Sequence, residues 1–260
     1  RAWSLAILGA LEPHLTPSQE ELGHRSVQEF LSYLRDLVAE RRKHPGNPDQ
    51  DVLTRLIQGE MINGTHPAST ETLSEVELLQ NCIFLLNAGH ETTTNLIGNA
   101  LISLIENPMQ QAVLKSDLSA AKNSQQAELE THVLNVAVDE FLRFEASNQL
   151  SNRRAVKATQ IGGLQLPEGA LVTLCIGAAN RDPVQFNEPE KLDLRRVQNK
   201  HLSFGFGVHQ CAGLSLARLE GRIALGRFLQ RFPNYDLSEL PTRGGRARFR
   251  GFLKAPFYAN

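Results

Sequence analysis

Residues 201–220 read HLSFGFGVHQCAGLSLARLE: three glycines and two phenylalanines gathered around Cys211, followed directly by a basic amphipathic stretch. A cysteine in this setting can be a buried core residue, a nucleophile or a metal ligand. A thiolate ligand must stay deprotonated, which donated backbone N–H groups, a helix N-terminus or the metal itself can arrange. Glycines at 205, 207 and 213 let the backbone turn tightly and come close to a flat object. The helix expected just after Gly213 points its positive end back towards Cys211. No acylation partner stands nearby, which argues against a nucleophile.

The rest of the chain frames this choice. Its 260 residues, 41% hydrophobic, suffice for one large core, and 27 basic against 28 acidic residues give no reason to expect a nucleic-acid or anionic-membrane partner. The three cysteines, Cys82, Cys175 and Cys211, are far apart with no C-x-x-C pair, which suggests neither a disulfide framework nor a zinc finger and fits a reducing, cytoplasmic compartment. The longest apolar run, CIFLLNAG at residues 82–89, is too short to cross a bilayer, and no leader-like pattern opens the sequence.

The periodicity predicts a mainly α chain with small β hairpins. Val27, Phe30, Leu31, Leu34 and Leu37 recur at the spacing of one helical face, and that helix ends in a basic turn before Pro45 and Gly46. After a polar linker at residues 63–74, Ser74 and Glu77 form a capping box that opens a long helix to about Ile105. Another helix is expected over residues 128–144. From Ala155 short β-prone runs are punctuated by Gly162-Gly163 and Pro167-Glu168-Gly169. The last helix places Leu216, Leu219, Ile223 and Phe228 on its expected inner face. There is no internal repeat.

The spacing Phe204-Gly205-x-Gly207-x-His209-x-Cys211-x-Gly213-x-x-Leu216-Ala217-Arg218 resembles the heme-binding signature of the cytochrome P450 superfamily, the heme-thiolate monooxygenases, in their bacterial soluble form. The resemblance implies that Cys211 is the axial thiolate of heme b (iron protoporphyrin IX), that His209 meets a heme propionate, and that Phe204, Gly205 and Gly213 shape the loop. Thiolate ligation pushes electron density onto iron and favours O–O cleavage. Ala88-Gly89-His90-Glu91-Thr92-Thr93 looks like the family's oxygen-activation motif. Small residues at Ala88 and Gly89 would let the helix pass close over a heme face. Glu91 and Thr92 would deliver protons, an acid beside a hydroxyl where a local helix distortion could hold water. His90 is expected to be structural. Glu140-x-x-Arg143 resembles the family's buried E-x-x-R ion pair. Its usual third member, an arginine, is replaced by Lys191, which implies a weaker network. Ala146-Ser147 stand in place of a diproline, and Arg153 falls where a propionate-pairing arginine belongs, with Arg154 as a competitor. Asn148, Gln149 and Leu150 would border the substrate side, as would Phe252 in the last turn. The polar character of 148 and 149 suggests either a substrate with a polar group or drift in a pocket wall.

The similarity implies the C-terminal part of the fold as a single partial domain. Residues 1–62 form a helical lid-side region, 63–154 the central and E-x-x-R helices, 155–200 small hairpins and a meander, and 201–260 the thiolate loop, final helix and C-terminal hairpin. The N-terminal third of a usual member is absent from it. The implied function is hydroxylation of a small to medium organic substrate with dioxygen and two electrons from a ferredoxin or flavodoxin. Arg218, Arg222 and Lys200 offer a basic docking patch for that partner. Two rivals remain: a truncated, non-catalytic derivative with weak or no heme binding, and a cysteine hydrolase.

Overall fold

The structure, a computed structural model, describes residues 2–59, 73–124 and 127–259, and the chain divides into two compact units, residues 1–91 and 92–260. The polar linker expected at 63–74 lies outside the described residues except for Leu73 and Ser74.

In the first unit, α1 (Ala2–Gly9), α2 (Pro17–Lys43), α3 (Val52–Gln58) and the first half of α4 (Glu75–Glu106) surround one apolar cluster. Helix α2 begins upstream of the apolar repeat. Thr16 caps it by accepting from the Gln19 amide while the Gln19 side chain accepts from the Thr16 amide at 2.9 Å, and Pro17 fits the first turn, where no amide is needed. Phe30, Leu34 and Val38 of α2 pack on Leu78, Leu79 and Ile83 of α4, and Trp3 stacks on Phe30 at 5.1 Å. The expected capping box is formed: Ser74 N donates to Glu77 Oε2 (2.9 Å) and Glu77 N to Ser74 Oγ (3.3 Å). α3 has no counterpart in the sequence reading, being only two turns long.

In the second unit the later half of α4 packs with α5 (Pro108–Asn123) and α6 (Ala127–Phe144). Strand β1 (Leu150–Arg154) follows, then β2 (Thr159–Ile161), β3 (Leu164–Leu166) and β4 (Leu171–Cys175), the last returning antiparallel beside β1. β2 and β3 form the predicted hairpin, with Gly162 and Gly163 at φ +57° and +83° in its two-residue turn. A short helix α7 (Ile176–Ala179) and an irregular meander lead to the cysteine loop and α8 (Leu214–Arg231). The chain closes with β5 (Tyr235–Leu237), β6 (Thr242–Arg243), β7 (Phe252–Lys254) and β8 (Phe257–Ala259), paired β5 with β8 and β6 with β7.

The face of α8 that enters the core differs from the expected one. Gly221, Leu225 and Leu229 are buried, and Phe228 packs against the cluster as predicted, but Leu216, Leu219 and Ile223 are exposed. Gly221 explains the choice. A Cβ there would lie 3.2 Å from Leu96 on α4 and 3.4 Å from Val138 on α6, so the absent side chain lets three helices meet. Gly251, before β7, is similarly tight: a Cβ would overlap the Asn95 amide of α4. Buried Tyr235 donates to the Leu101 carbonyl at 3.0 Å, and burial pushes its pKa up to about 12.

Candidate functional site

The cysteine loop leaves the body of the second unit at Phe204, whose ring packs against the core, and residues 206–213 are all exposed. Its shape comes from backbone geometry. Gly205 and Gly207 have φ of +67° and +70°, the left-handed region, and a Cβ on Gly205 would press to 3.3 Å from the His209 carbonyl oxygen. The Cys211 amide donates to the Phe204 carbonyl at 2.8 Å, which closes the loop on itself. His209 ends a single 3₁₀ turn (Gly207–His209) and is exposed. Gly213 is the N-cap of α8, and a Cβ on it would lie 3.9 Å from Cys211 Sγ, so the sulfur stands at the helix N-terminus.

Behind the loop lies a buried charge network. Glu140 and Arg143 are both fully enclosed, and the arginine uses all its N–H groups: Nε and Nη2 bind the two Glu140 oxygens at 2.8 Å, while the carbonyls of Asn180, Pro189 and Lys191 accept the rest. Glu140 in turn accepts from Asp193 N (2.8 Å), Arg196 Nε (3.1 Å) and Asn199 Nδ2 (3.0 Å). The third cation is therefore Arg196 and not Lys191. The meander turns the Lys191 carbonyl inward and its ammonium out to an exposed pair with Glu188, so the expected weakening does not arise. Asn180, buried in the ANRDP block, joins the network to the loop: its carbonyl accepts from Arg143, its Oδ1 from Leu202 N (2.7 Å), and its Nδ2 donates to Ser203 Oγ (2.8 Å). Arg196, Asn199 and Asn180 were missed because an irregular segment has no periodicity to announce which side chains turn in.

Helix α4 is continuous through residues 88–92, where the sequence allowed a local distortion. The Thr92 carbonyl instead accepts from the Ser147 hydroxyl at 2.8 Å, a bond that a proline at 147 could not make. Ala88 and Gly89 are exposed, with open space where a Gly89 Cβ would stand, and Glu91 is buried. His90 Nδ1 lies 3.5 Å from Ser4 Oγ within the first unit, in keeping with a structural part. Arg153, half-buried on β1, donates to Ser151 Oγ (3.1 Å) and the Asn152 carbonyl (2.8 Å), whereas exposed Arg154 is tied across the hairpin to the Gly169 carbonyl.

The two polar residues expected on a substrate side differ: Gln149 is engaged through its side chain, whereas Asn148 is held through its backbone, its buried Oδ1 having no hydrogen-bond partner among the described residues. Gln149 donates to the Ala146 carbonyl at 2.6 Å, abuts Gly177 and lines a cavity of about 320 Å³ with Arg143, Arg181, Glu190 and Arg250. Asn148 pairs through its backbone with Phe249, and Leu150 with Cys175. Phe252 carries the Arg243 guanidinium 4.2 Å above its ring.

These features fit a flat, apolar, metal-centred group. The donor is an exposed sulfur at a helix N-terminus, flanked by the open apolar side chains of Phe206 and Val208, 81% and 96% exposed. Among the described residues no cluster of histidine, cysteine or carboxylate side chains offers an alternative metal site, and no helix is long and apolar enough to cross a membrane.

Comparison with known proteins agrees. The family model for cytochrome P450 matches residues 6–242. Cytochrome P450 107B1 of Saccharopolyspora erythraea is 39% identical over 225 residues, 86% of this chain and 50% of that protein. The biotin biosynthesis cytochrome P450 of Bacillus subtilis is 34% identical over 94% of this chain and 55% of its own length. Among solved structures, P450BioI in complex with an acyl carrier protein ligated to hexadec-9Z-enoic acid superposes with a TM-score of 0.85 at 31% identity, over 99% of this chain and 60% of that one. The ligand-free cytochrome P450 TbtJ1 gives 0.82 at 31% identity, covering 99% and 62%. The chain thus spans about half the length of the curated relatives it matches.

Proposed function

The chain belongs to the cytochrome P450 family, and on that footing we propose that it forms the heme-thiolate part of a monooxygenase that hydroxylates a small to medium organic substrate. The observation that carries the proposal is Cys211, exposed at the N-terminus of α8 in a loop shaped by Gly205 and Gly207. Members of the family bind heme b. When bound through a thiolate, that group supplies dioxygen activation, because sulfur donates electron density that favours O–O cleavage.

The chain's own residues do the rest. Cys211 would hold the heme iron through its sulfur, and the N-terminus of α8 favours negative charge there. Phe206 and Val208 offer apolar surface to a porphyrin. His209 and Arg153 are the candidates for its propionates, with Arg154 as the competitor; both guanidinium groups also donate to nearby acceptors of the chain. Ala88 and Gly89 keep α4 free of bulk where the family's helix passes the heme. In the family's pattern the Glu91 carboxyl holds a proton and the Thr92 hydroxyl passes it on. Leu150 and Phe252 remain candidates for substrate contact, with Asn148 and Gln149; the internal hydrogen bond of Gln149 favours drift over recognition of a polar substrate. Electrons would come from a ferredoxin or flavodoxin. The rival reading is a non-catalytic derivative of the family with weak or no heme binding.

One experiment separates them. The purified chain is supplied with heme, reduced and exposed to carbon monoxide. A long-wavelength Soret band supports the thiolate reading, and a histidine-type band, or none, supports the derivative.

A further inference from the structure

Read from sequence, Arg218 belongs to a docking patch with Arg222 and Lys200. The structure turns it inward: its Nε donates to Asp139 Oδ1 at 2.7 Å, and its guanidinium lies 4.9 Å from the centre of the Phe204 ring. His201, with a side chain only 2% exposed, reaches the same carboxylate oxygen from the meander at 3.4 Å and places its ring 5.7 Å from Phe204. The Ser203 amide donates to His201 Nδ1 (3.3 Å), so Nε2 is the nitrogen that carries a proton towards Asp139. Phe204 is thus held by two aromatic or cationic groups that share one acid. Its carbonyl is the group to which the Cys211 amide is bonded.

We propose that Asp139, His201 and Arg218 are positioning residues that set the Cys211 loop by gripping Phe204. The proposal rests on the reading of Cys211 as the thiolate ligand. The loop beyond Phe204 is exposed, so its position is inherited largely from this root. Asp139 stands one residue before Glu140 on α6, so the same helix turn that carries the buried charge network also fixes the root from the other side. A carboxylate can accept from both partners at once. An amide in its place can still accept from Arg218 but loses the charge that orders both side chains.

The test uses hydrogen exchange resolved to the Cys211 amide in the whole chain, comparing wild type with D139N and R218K. The clamp predicts about tenfold faster exchange at Cys211 in D139N while the core amides of Phe141 and Leu225 keep their protection, with a smaller acceleration in R218K, which retains charge but not the planar stack. Unchanged exchange at Cys211 in both variants overturns the proposal, as does one common acceleration at all three amides. A second readout uses the same proteins loaded with heme. D139N should shift the reduced carbon monoxide complex from the thiolate-type band towards the protonated-thiol type; an unshifted spectrum counts against the clamp. If the wild-type chain shows no thiolate band at all, the heme assignment falls, and the exchange comparison still decides the clamp.

Discussion

The Glu140–Arg143 network and the Cys211 loop lie in the same unit, joined through Asn180 and Ser203, yet they are built on opposite plans. The network is closed: both charges are enclosed and every N–H of Arg143 has an acceptor within the chain. The loop is open, with an exposed cysteine, left-handed glycines and large apolar side chains facing outward. On the proposed function, stability and chemistry fall to different residues. A buried ion pair need only complete itself, whereas a ligand-binding loop must leave groups uncommitted.

That contrast can be broken most forcefully at Arg143. Replacing it by alanine leaves the Glu140 carboxylate buried without its main partner and should cost about 3–5 kcal/mol, read from urea unfolding of the chain. A loss below about 1 kcal/mol would mean that water or Arg196 repairs the site. A sharper test concerns the third cation. R196A removes a charge-assisted bond to an enclosed carboxylate and should cost about 2 kcal/mol. K191A removes only an exposed pair and should stay within about 0.5 kcal/mol. Equal effects would restore lysine to the position that the sequence suggested.

A smaller effect is expected in acid. Burial alone would raise the pKa of Asp139, but hydrogen bonds from His201 and Arg218 outweigh it and hold the carboxyl below the usual range. A group depressed in the folded state contributes stability above its unfolded pKa, about 3.9, and loses that contribution as pH falls through the folded value. The melting temperature of D139N should therefore fall less steeply than that of wild type below about pH 4. Parallel acid limbs would show that Asp139 is not held as the geometry implies.

The parts legible in the sequence are those with local signals. Ser74 and Glu77 announced the start of α4, Gly162-Gly163 the hairpin, and the fixed spacing around Cys211 the loop. The pair Glu140 and Arg143 was legible because its spacing, common on any helix, matches the family's E-x-x-R pattern in its place before the cysteine. What escaped depends on tertiary arrangement. Arg196 and Asn180 come from irregular chain, where nothing local says which side chain turns inward. The two-turn helix α3 offers too few residues for a period to emerge. On α8 both faces carry leucines, and only Gly221, where α4 and α6 approach, marks the one that packs. Arg218 was read as part of an exposed docking patch because its partner, Asp139, lies far away in sequence.

The least expected change in stability accompanies the most expected change in chemistry. C211S, at an exposed position, should unfold within about 0.5 kcal/mol of wild type. The decisive measurement is resonance Raman scattering of the heme-loaded ferric chain, wild type against C211S, with the cysteine sulfur isotopically labelled. An iron–sulfur stretching band that moves with the label and vanishes in C211S is the predicted result. A heme spectrum identical in the two proteins and indifferent to the label would contradict the account.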